Sequence, residues 1–202
     1  MTMRQTSFAA RQQGVVLFIA LIVLVAMSLA GVAMVRSVDT SLGIAGNLAF
    51  KQSAIQGGDV GVREAYTWLS GKSSSILKDN DAANGYFSAA PASVTEDWYD
   101  ISKWNGAKLV NAGTPDAAGN VTRFVIHRMC TQPGTTYNGS NAGVANTCAL
   151  STPTSGGSSG GSMAVGSAQF EGIPQIYYRI TARVDGPRNT VSIVQVSVLF
   201  RV

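Results

Sequence analysis

Few residues in this chain could perform chemistry, and the first of them is its single histidine, His127. One histidine excludes every site built from two or more, including the zinc site of an H-E-x-x-H helix. A catalytic histidine also needs a nucleophile to activate, and no G-x-S-x-G motif accompanies it. We therefore predict a strand histidine without a catalytic role, no catalytic residue elsewhere, and a protein that is not an enzyme.

A second candidate is the polar segment 79–85, DNDAANG, which looks at first like a calcium loop. The D-x-[DN]-x-[DN]-G pattern requires a ligand and a glycine where this segment has Ala83 and Asn84, and the distal glutamate is missing. Aspartate, asparagine and glycine are typical of polar turns. We predict a turn here, and no metal or cofactor site in the chain.

The two cysteines, Cys130 and Cys148, enclose a stretch rich in Gly, Asn and Thr. Their spacing fits neither a C-x-x-C redox pair nor a zinc motif, and it predicts one disulfide-closed loop. In the entropy model such a loop contributes about 3 kcal/mol. Disulfides persist in oxidising compartments, so the pair indicates that this part of the chain lies outside the cytosol. The alternative is a reduced, cytosolic pair.

The composition excludes several classes of protein. Apolar residues make up 46% of the 202 residues and charged residues 13%, about half of the usual ~25%. A disordered chain would need low hydrophobicity and high charge. The net charge is +4, but the 15 Lys and Arg are spread along the chain, whereas a nucleic-acid surface clusters them. We expect no nucleic-acid partner and no small-molecule substrate.

An uncharged apolar run at residues 15–35 dominates the sequence: VVLFIALIVLVAMSLAGVAMV. As a helix it would span about 31 Å, close to the ~30 Å hydrocarbon core of a bilayer. It has no polar stripe of the kind that a buried core helix carries. We predict a transmembrane helix, and we call these residues the anchor segment.

Three interpretations of the N-terminus remain open from the residues alone. The run is a plain anchor, or a secretory signal cut after Ala30, or it follows a short leader that is removed before Val15. Positive charges flank the run on both sides, so the positive-inside rule does not decide its orientation.

Residues 36–70 are predicted to continue the helix in amphipathic form and to end at Ser70-Gly71. Glycines in this part weaken a helix by up to ~1 kcal/mol each, so we expect a kink or an unwound stretch near 43–47 or 57–61. The predicted apolar face comprises residues at mostly three- and four-residue steps: Val38, Leu42, Ala45, Ala49, Ile55, Val62, Tyr66 and Leu69.

The remainder, residues 71–202, is predicted to form a head that carries a small antiparallel sheet. Residues 72–120 are turn-rich, and we expect their aromatic residues, Trp98, Tyr99 and Trp104, to anchor them against a core. Alternating apolar residues predict a strand at 121–129 and a hairpin from 176 to 200. A Ser/Gly-rich tract at 151–162 has the composition of a flexible loop. The predicted fold class is α+β.

The N-terminal sequence RQQGVVLFIALIVLVAMSLAGVAMVRS resembles that of a type IV pilus minor pilin, specifically of the PilX type. The resemblance includes Gln-Gln-Gly at 12–14 directly before the apolar run and continues through residues 45–50. The C-terminal hairpin YYRITARVDGPRNTVSIVQVSV is similar to the end of such proteins. The resemblance is strong over residues 14–70 and moderate over residues 176–202. It does not cover the middle of the chain.

The resemblance implies a pilin-like fold and a processing pathway. A prepilin peptidase would cut after Gly14 and methylate the new N-terminus at Val15. The anchor segment would hold the subunit in the bacterial inner membrane in a single pass, with the head in the periplasm, before the subunit enters the pilus. The implied partners are other minor and major pilins, the prepilin peptidase, inner-membrane lipid and the assembly platform.

One position departs from the family pattern. Most major pilins carry glutamate at the fifth mature position, and this chain has Ile19 there. A carboxylate inside a bilayer needs a partner, which in the family is taken to be the amino terminus of a neighbouring subunit. Ile19 cannot make that pair, which favours a priming or tip subunit. Two alternatives share these features: a minor pseudopilin of a type II secretion system, and a tip-displayed adhesin or ligand-binding module.

Overall fold

A computed structural model describes residues 14–93, 96–151 and 174–201 of this α+β protein. The predicted leader before Gly14 and the Ser/Gly-rich tract after Ser151 lie outside the described residues. One long helix precedes all the strands. The chain divides into two compact units, one up to Leu48 and one from Ala49 onward.

Helix α1 (Val15–Ser70) has 56 residues and joins the predicted transmembrane and amphipathic segments in one element. It begins where the Phe18 amide donates to the Gly14 carbonyl and ends at the predicted stop. Residues 43–47 and 57–61 are helical throughout, so the expectation of an unwound stretch is wrong. Helix propagation is cooperative, and a cost of about 1 kcal/mol per glycine is small against the surrounding helical turns.

Six of the described strands form one sheet in which β7 lies between β3 and β8 and pairs antiparallel with both. The predicted strand at 121–129 and the predicted hairpin are therefore confirmed. A separate two-stranded ribbon, β4 with β5, lies in the loop between the cysteines. The strands are β1 (Tyr86–Phe87), β2 (Lys108–Leu109), β3 (Val121–Arg128), β4 (Ser140–Asn141), β5 (Val144–Ala145), β6 (Leu150–Ser151), β7 (Gln175–Gly186) and β8 (Thr190–Arg201).

The sheet is mixed, which corrects the prediction of an antiparallel sheet. Strand β1 pairs parallel to β3, with Tyr86 opposite Ile126, while β2 pairs antiparallel to β3 at Phe124. A parallel pair needs a long crossover connection, and residues 88–120 supply one. That segment has no strong strand pattern, and β1 is only two residues long, so periodicity gave no signal for the parallel pair.

The C-terminal part of α1 packs on the sheet through small residues. Its buried residues are Ala54, Gly57, Gly58, Gly61, Ala65 and Leu69. A Cβ atom added to Gly58 would lie 2.7 Å from Val194 Cγ2, and one added to Gly61 would lie 2.8 Å from Thr122 Cγ2. The helix backbone thus approaches the sheet to a distance that only glycine permits. We call Gly57, Gly58 and Gly61 the glycine face.

The predicted apolar face of this part of the helix is largely wrong. Of its members, Leu69 is buried and Val62 is half-buried, but Ile55 and Tyr66 are exposed. The face turned to the sheet is selected by side-chain size rather than by hydrophobicity, because a large residue would hold the helix away from β7 and β8.

The turn-rich segment 72–120 is anchored by its tryptophans. Trp104 is 4% exposed, donates from Nε1 to the Trp98 carbonyl at 2.9 Å, and contacts the Trp98 ring edge-on. Tyr99 is 67% exposed, so the expectation that it anchors the segment is wrong. Its backbone carbonyl makes the contact instead, accepting from Nη1 of the buried Arg183 at 2.7 Å. The segment also contains three short 3-10 helices: Ala82–Asn84, Ile101–Trp104 and Val110–Gly113.

Candidate functional site

The predicted cleavage position lies at the start of α1. Gly14 immediately precedes the helix, Val15 is its first residue, and both are exposed. The peptide bond between them is at a helix boundary, where the first amides have no partner within the helix. Of the predicted leader, residues 1–14, only Gly14 lies within the described part of the chain.

The anchor segment presents large apolar side chains on every side. Ile19 is 54% exposed and is surrounded on the helix surface by similarly exposed valine, leucine and phenylalanine residues. The single hydroxyl, that of Ser28, donates to the Leu24 carbonyl at 2.8 Å and needs no outside partner. Monomeric soluble proteins rarely expose an apolar surface this continuous, which marks it as a surface for lipid or for other helices.

By length and composition, α1 is long and apolar enough to cross a membrane once. Core helices of soluble proteins and signal sequences can be equally long and apolar. Here the most apolar stretch is not covered by any other described part of the protein. A core helix would be covered, so this observation favours lipid or a second protein as the surroundings of the anchor segment.

The predicted disulfide between Cys130 and Cys148 is present, and the two residues also form an isolated antiparallel bridge. It closes a loop whose interior is organised by Asn146, a residue the sequence analysis did not single out. The Asn146 side chain accepts from the Gln132 amide at 2.9 Å and donates to the Thr136 carbonyl at 2.8 Å. A buried amide with both ends bonded fixes the loop in one conformation.

His127 lies in β3 and is 8% exposed. Its ring stacks on Phe87 at 5.1 Å between centroids and lies 5.9 Å from the Trp98 ring, and its Nδ1 atom is buried without a partner. Burial, followed by repulsion from Arg179, lowers the pKa of His127 to about 4, although Glu96 acts in the opposite direction. A general base requires a hydrogen-bonded nucleophile, and this ring is packed against aromatic side chains instead.

The side chains of the 79–85 turn are used within the fold. Asn84 donates to Asp81 Oδ2 at 2.8 Å, and Asn80 Oδ1 accepts from the amide and the hydroxyl of Ser88. Gly85 has φ +71, where a glycine is needed to close the turn before β1. Within the described ranges no group of three or more His, Cys, Asp or Glu residues could hold a metal ion.

Buried Asn120 and buried Arg183 each connect separate parts of the fold, and neither role was predicted. Asn120 donates from Nδ2 to Ser53 Oγ on α1 and to Asp116 Oδ2, both at 2.9 Å. Burial acts to raise the pKa of Asp116, but hydrogen bonds from Asn120 and from backbone amides outweigh it and lower the pKa. Arg183 pairs with Asp185 of the same strand at 2.8 Å and donates to the Trp98 and Tyr99 carbonyls of the turn-rich segment. A single polar residue before or within a strand carries no sequence signal that distinguishes such a role.

The most prominent features of the described structure are thus an apolar helix surface and a disulfide-closed loop. Comparisons with known proteins add no relative: no protein-family model, no curated protein and no solved structure matches the chain.

Proposed function

We propose that this protein is a minor pilin that acts in type IV pilus assembly as a priming or tip subunit. The observation that carries the proposal is the unbroken α1 helix. It begins directly after Gly14, exposes an uncharged apolar surface over residues 15–35, and ends against a sheet-bearing unit. A plain anchor exposes such a surface to lipid, and a subunit that moves from a membrane into a helical bundle also packs it against other helices.

The disulfide supports a head that functions outside the cytosol. Such bonds persist in the bacterial periplasm and at the cell surface and are rare in the cytosol. With the anchor segment in the inner membrane, a periplasmic head requires the N-terminus to be cytoplasmic, which is the side on which a prepilin leader would be cut. The Cys130–Cys148 bond therefore agrees with the orientation that the proposal needs.

Ile19 supports the terminal position of the subunit. The described part of the anchor segment contains no carboxylate, so it cannot pair with the amino terminus of a neighbour inside the bilayer. Lateral packing through apolar faces remains available, with Ala26, Ala30 and Gly31 allowing close approach of another helix. A subunit of this kind can start or cap a filament more readily than it can repeat within one.

The test is the mature N-terminus of protein purified from its native membrane, by intact mass and sequencing of the N-terminal peptide. We expect a start at N-methylated Val15. A start at Gly31 would overturn the proposal, because the anchor segment would have been removed. A start at Met1 or Thr2, in cells with an active prepilin peptidase, would also overturn it and leave a plain anchored protein.

The same features fit a minor pseudopilin of a type II secretion system, and a deletion strain separates the two. Loss of surface pili with normal protein secretion supports the pilus assignment. Retention of secreted proteins in the periplasm, with pili unchanged, assigns the chain to the secretion system. Complementation with the full chain is the control in both assays.

A further inference from the structure

Arg128 is the most deeply buried arginine among the described residues, at 3% exposed, and it lies at the end of β3. Its Nη1 atom donates to the Thr135 carbonyl at 2.8 Å, and its Nε atom is buried without a partner. Within the part of the chain that the structure describes, none of the ion pairs involves this residue. A guanidinium has five N–H donors, and among the described residues that of Arg128 makes a single hydrogen bond, to a backbone carbonyl.

The other buried arginine shows what Arg128 lacks. Arg183 is paired with Asp185 at 2.8 Å and donates to two backbone carbonyls, those of Trp98 and Tyr99. Buried charges are normally paired, because the loss of hydration is costly unless an opposite charge and further hydrogen bonds replace the water. The described residues supply no such opposite charge to Arg128.

A cavity of about 220 Å³ adjoins Arg128. It lies between the segment after α1, which contributes Ser74 and Ser75, and the disulfide-closed loop, which contributes Thr136 and Tyr137. The loop is tied to that segment by the Gly134 amide, which donates to the Lys78 carbonyl at 2.9 Å.

The lining has one cationic part and one apolar part. Arg128 and the hydroxyl-bearing residues supply donors, while Ile176 and the Tyr178 ring supply apolar surface. The volume is below the roughly 300–1,000 Å³ of sites for drug-sized ligands, so the occupant has about the size of one side chain. A carboxylate matches a guanidinium in planar, two-point geometry, and its single charge neutralises one arginine.

We propose that this cavity binds a carboxylate carried on a short apolar body, with Arg128 as the charge partner. The carboxylate comes from outside the described residues, either as a free organic acid or as an acidic group of a polypeptide, and both sources present the same chemistry to Arg128. The group is a ligand and not a substrate. The proposal does not depend on the pilus assignment, because every residue that it uses lies in the unit from Ala49 onward.

The test is thermal unfolding of the full chain in detergent micelles with isovalerate, and with isovaleramide as the uncharged match. A ligand that binds only the folded state raises the unfolding midpoint in a saturable manner. We expect isovalerate to raise the midpoint and isovaleramide to leave it unchanged. Equal shifts with acid and amide, no shift with either, or an equal shift with inorganic phosphate would each overturn the proposal.

Arg128→Met should abolish the isovalerate shift, and Arg128→Lys should weaken it by tenfold or more in affinity, since the two-point contact is lost. Arg179→Met is the matched control, because Arg179 is a half-buried arginine on the neighbouring strand that does not line the cavity. Isovalerate should still raise the unfolding midpoint of this variant. If Arg128→Met does not fold, Ser75→Leu fills the cavity while keeping the charge and should also abolish the shift. Binding that survives Ser75→Leu would overturn the proposal.

The source of the carboxylate is decided by a second comparison. Acetyl-Gly-Glu-Gly-amide offers a carboxylate on a polypeptide with blocked ends, and isovalerate offers a free acid. Tighter binding of the peptide assigns the cavity to a protein partner, and tighter binding of isovalerate assigns it to a free acid. Either result supports a carboxylate site, provided that Arg128→Met abolishes it.

Discussion

The two parts of helix α1 use opposite kinds of residue. The anchor segment carries valine, leucine, isoleucine, methionine and phenylalanine, and the described structure leaves these side chains exposed. The buried face between Ala54 and Leu69 consists of glycine, alanine and one leucine. The first part therefore presents large side chains at its surface, whereas the second part has small residues where the helix packs on the sheet.

This difference indicates which partner each part meets. A surface of large apolar side chains suits lipid tails or other helices, whose own side chains can adjust to it. A strip of glycine suits one fixed partner, because contacts as close as those from Gly58 to Val194 leave no room for adjustment. The glycine face therefore fits one fixed partner, the sheet, whereas the anchor segment presents a surface that suits lipid or other helices.

The parts also differ in polar content. The anchor segment has no ionisable side chain, so its stability in lipid is insensitive to pH. The unit from Ala49 onward buries His127, Arg128 and Arg183. A change of pH should therefore act on this unit and not on the anchor segment, and this gives the prediction with the largest expected effect.

Acidification from pH 6.5 to 4 should lower the unfolding free energy of the sheet-bearing unit by about 3 kcal/mol through His127. The pKa of His127 is near 6.5 in the unfolded chain and about 4 in the folded one, and each pKa unit of difference corresponds to 1.36 kcal/mol. The unfolded state binds the proton first in this window. The folded state is therefore fully favoured above pH 6.5 and loses stability as the pH falls. Denaturant unfolding followed by tryptophan fluorescence at pH 7, 5.5 and 4 measures the loss.

His127→Phe is the control for this prediction, since a phenyl ring keeps the stacking on Phe87 and cannot titrate. It should flatten the profile between pH 6.5 and 4. Hydrogen bonds from Ser102 lower the pKa of Asp100, and hydrogen bonds also lower the pKa of Asp116. The stabilisation that these two carboxylates contribute is therefore lost mainly below pH 4, outside the window in which His127 titrates. A His127→Phe profile as steep as that of the natural protein would contradict the assignment.

Gly61→Leu should destabilise the sheet-bearing unit by about 2 kcal/mol, within the ~1–3 kcal/mol range of overpacked sites. The first added carbon would already lie 2.8 Å from Thr122 Cγ2 and 3.3 Å from Ala182 Cβ. Gly43→Leu is the matched control, because nothing lies within 4 Å of a Cβ atom at Gly43. The midpoint of chemical unfolding should fall for the first variant and not for the second. An equal effect of both would remove the distinction between the two parts of the helix.

Gly43→Ala should give the smallest effect, a local stabilisation of up to about 1 kcal/mol from helix propensity alone. Amide hydrogen exchange of residues 40–47 should slow by up to about fivefold, since 1.4 kcal/mol corresponds to tenfold. Gly57→Ala should show no such gain, because its added carbon meets Val184 Cγ1 at 3.2 Å. Equal protection in both variants would show that the glycine face tolerates a side chain.

Much of the fold could be predicted from local patterns. Each of the following features has a local sequence signal and is present in the structure: the uncharged helical run, the helix end at Ser70-Gly71, strand β3, and the hairpin of β7 and β8. The cysteine spacing predicted the disulfide correctly. The packing face of α1 could not be predicted in the same way, because periodicity identifies large apolar residues, and here the close contact selects small ones.

The sequence by itself determined that this chain has a long apolar helix, an antiparallel hairpin and one disulfide loop. Those features follow from the order of residues over a few turns or strand positions. Only the tertiary structure decided that β1 runs parallel to β3, that Asn120 connects Asp116 to the helix, and that Arg128 is buried beside a cavity with no ion pair among the described residues. Each of these depends on residues far apart in the chain, and the cost of burying a polar group is set by what the fold brings next to it.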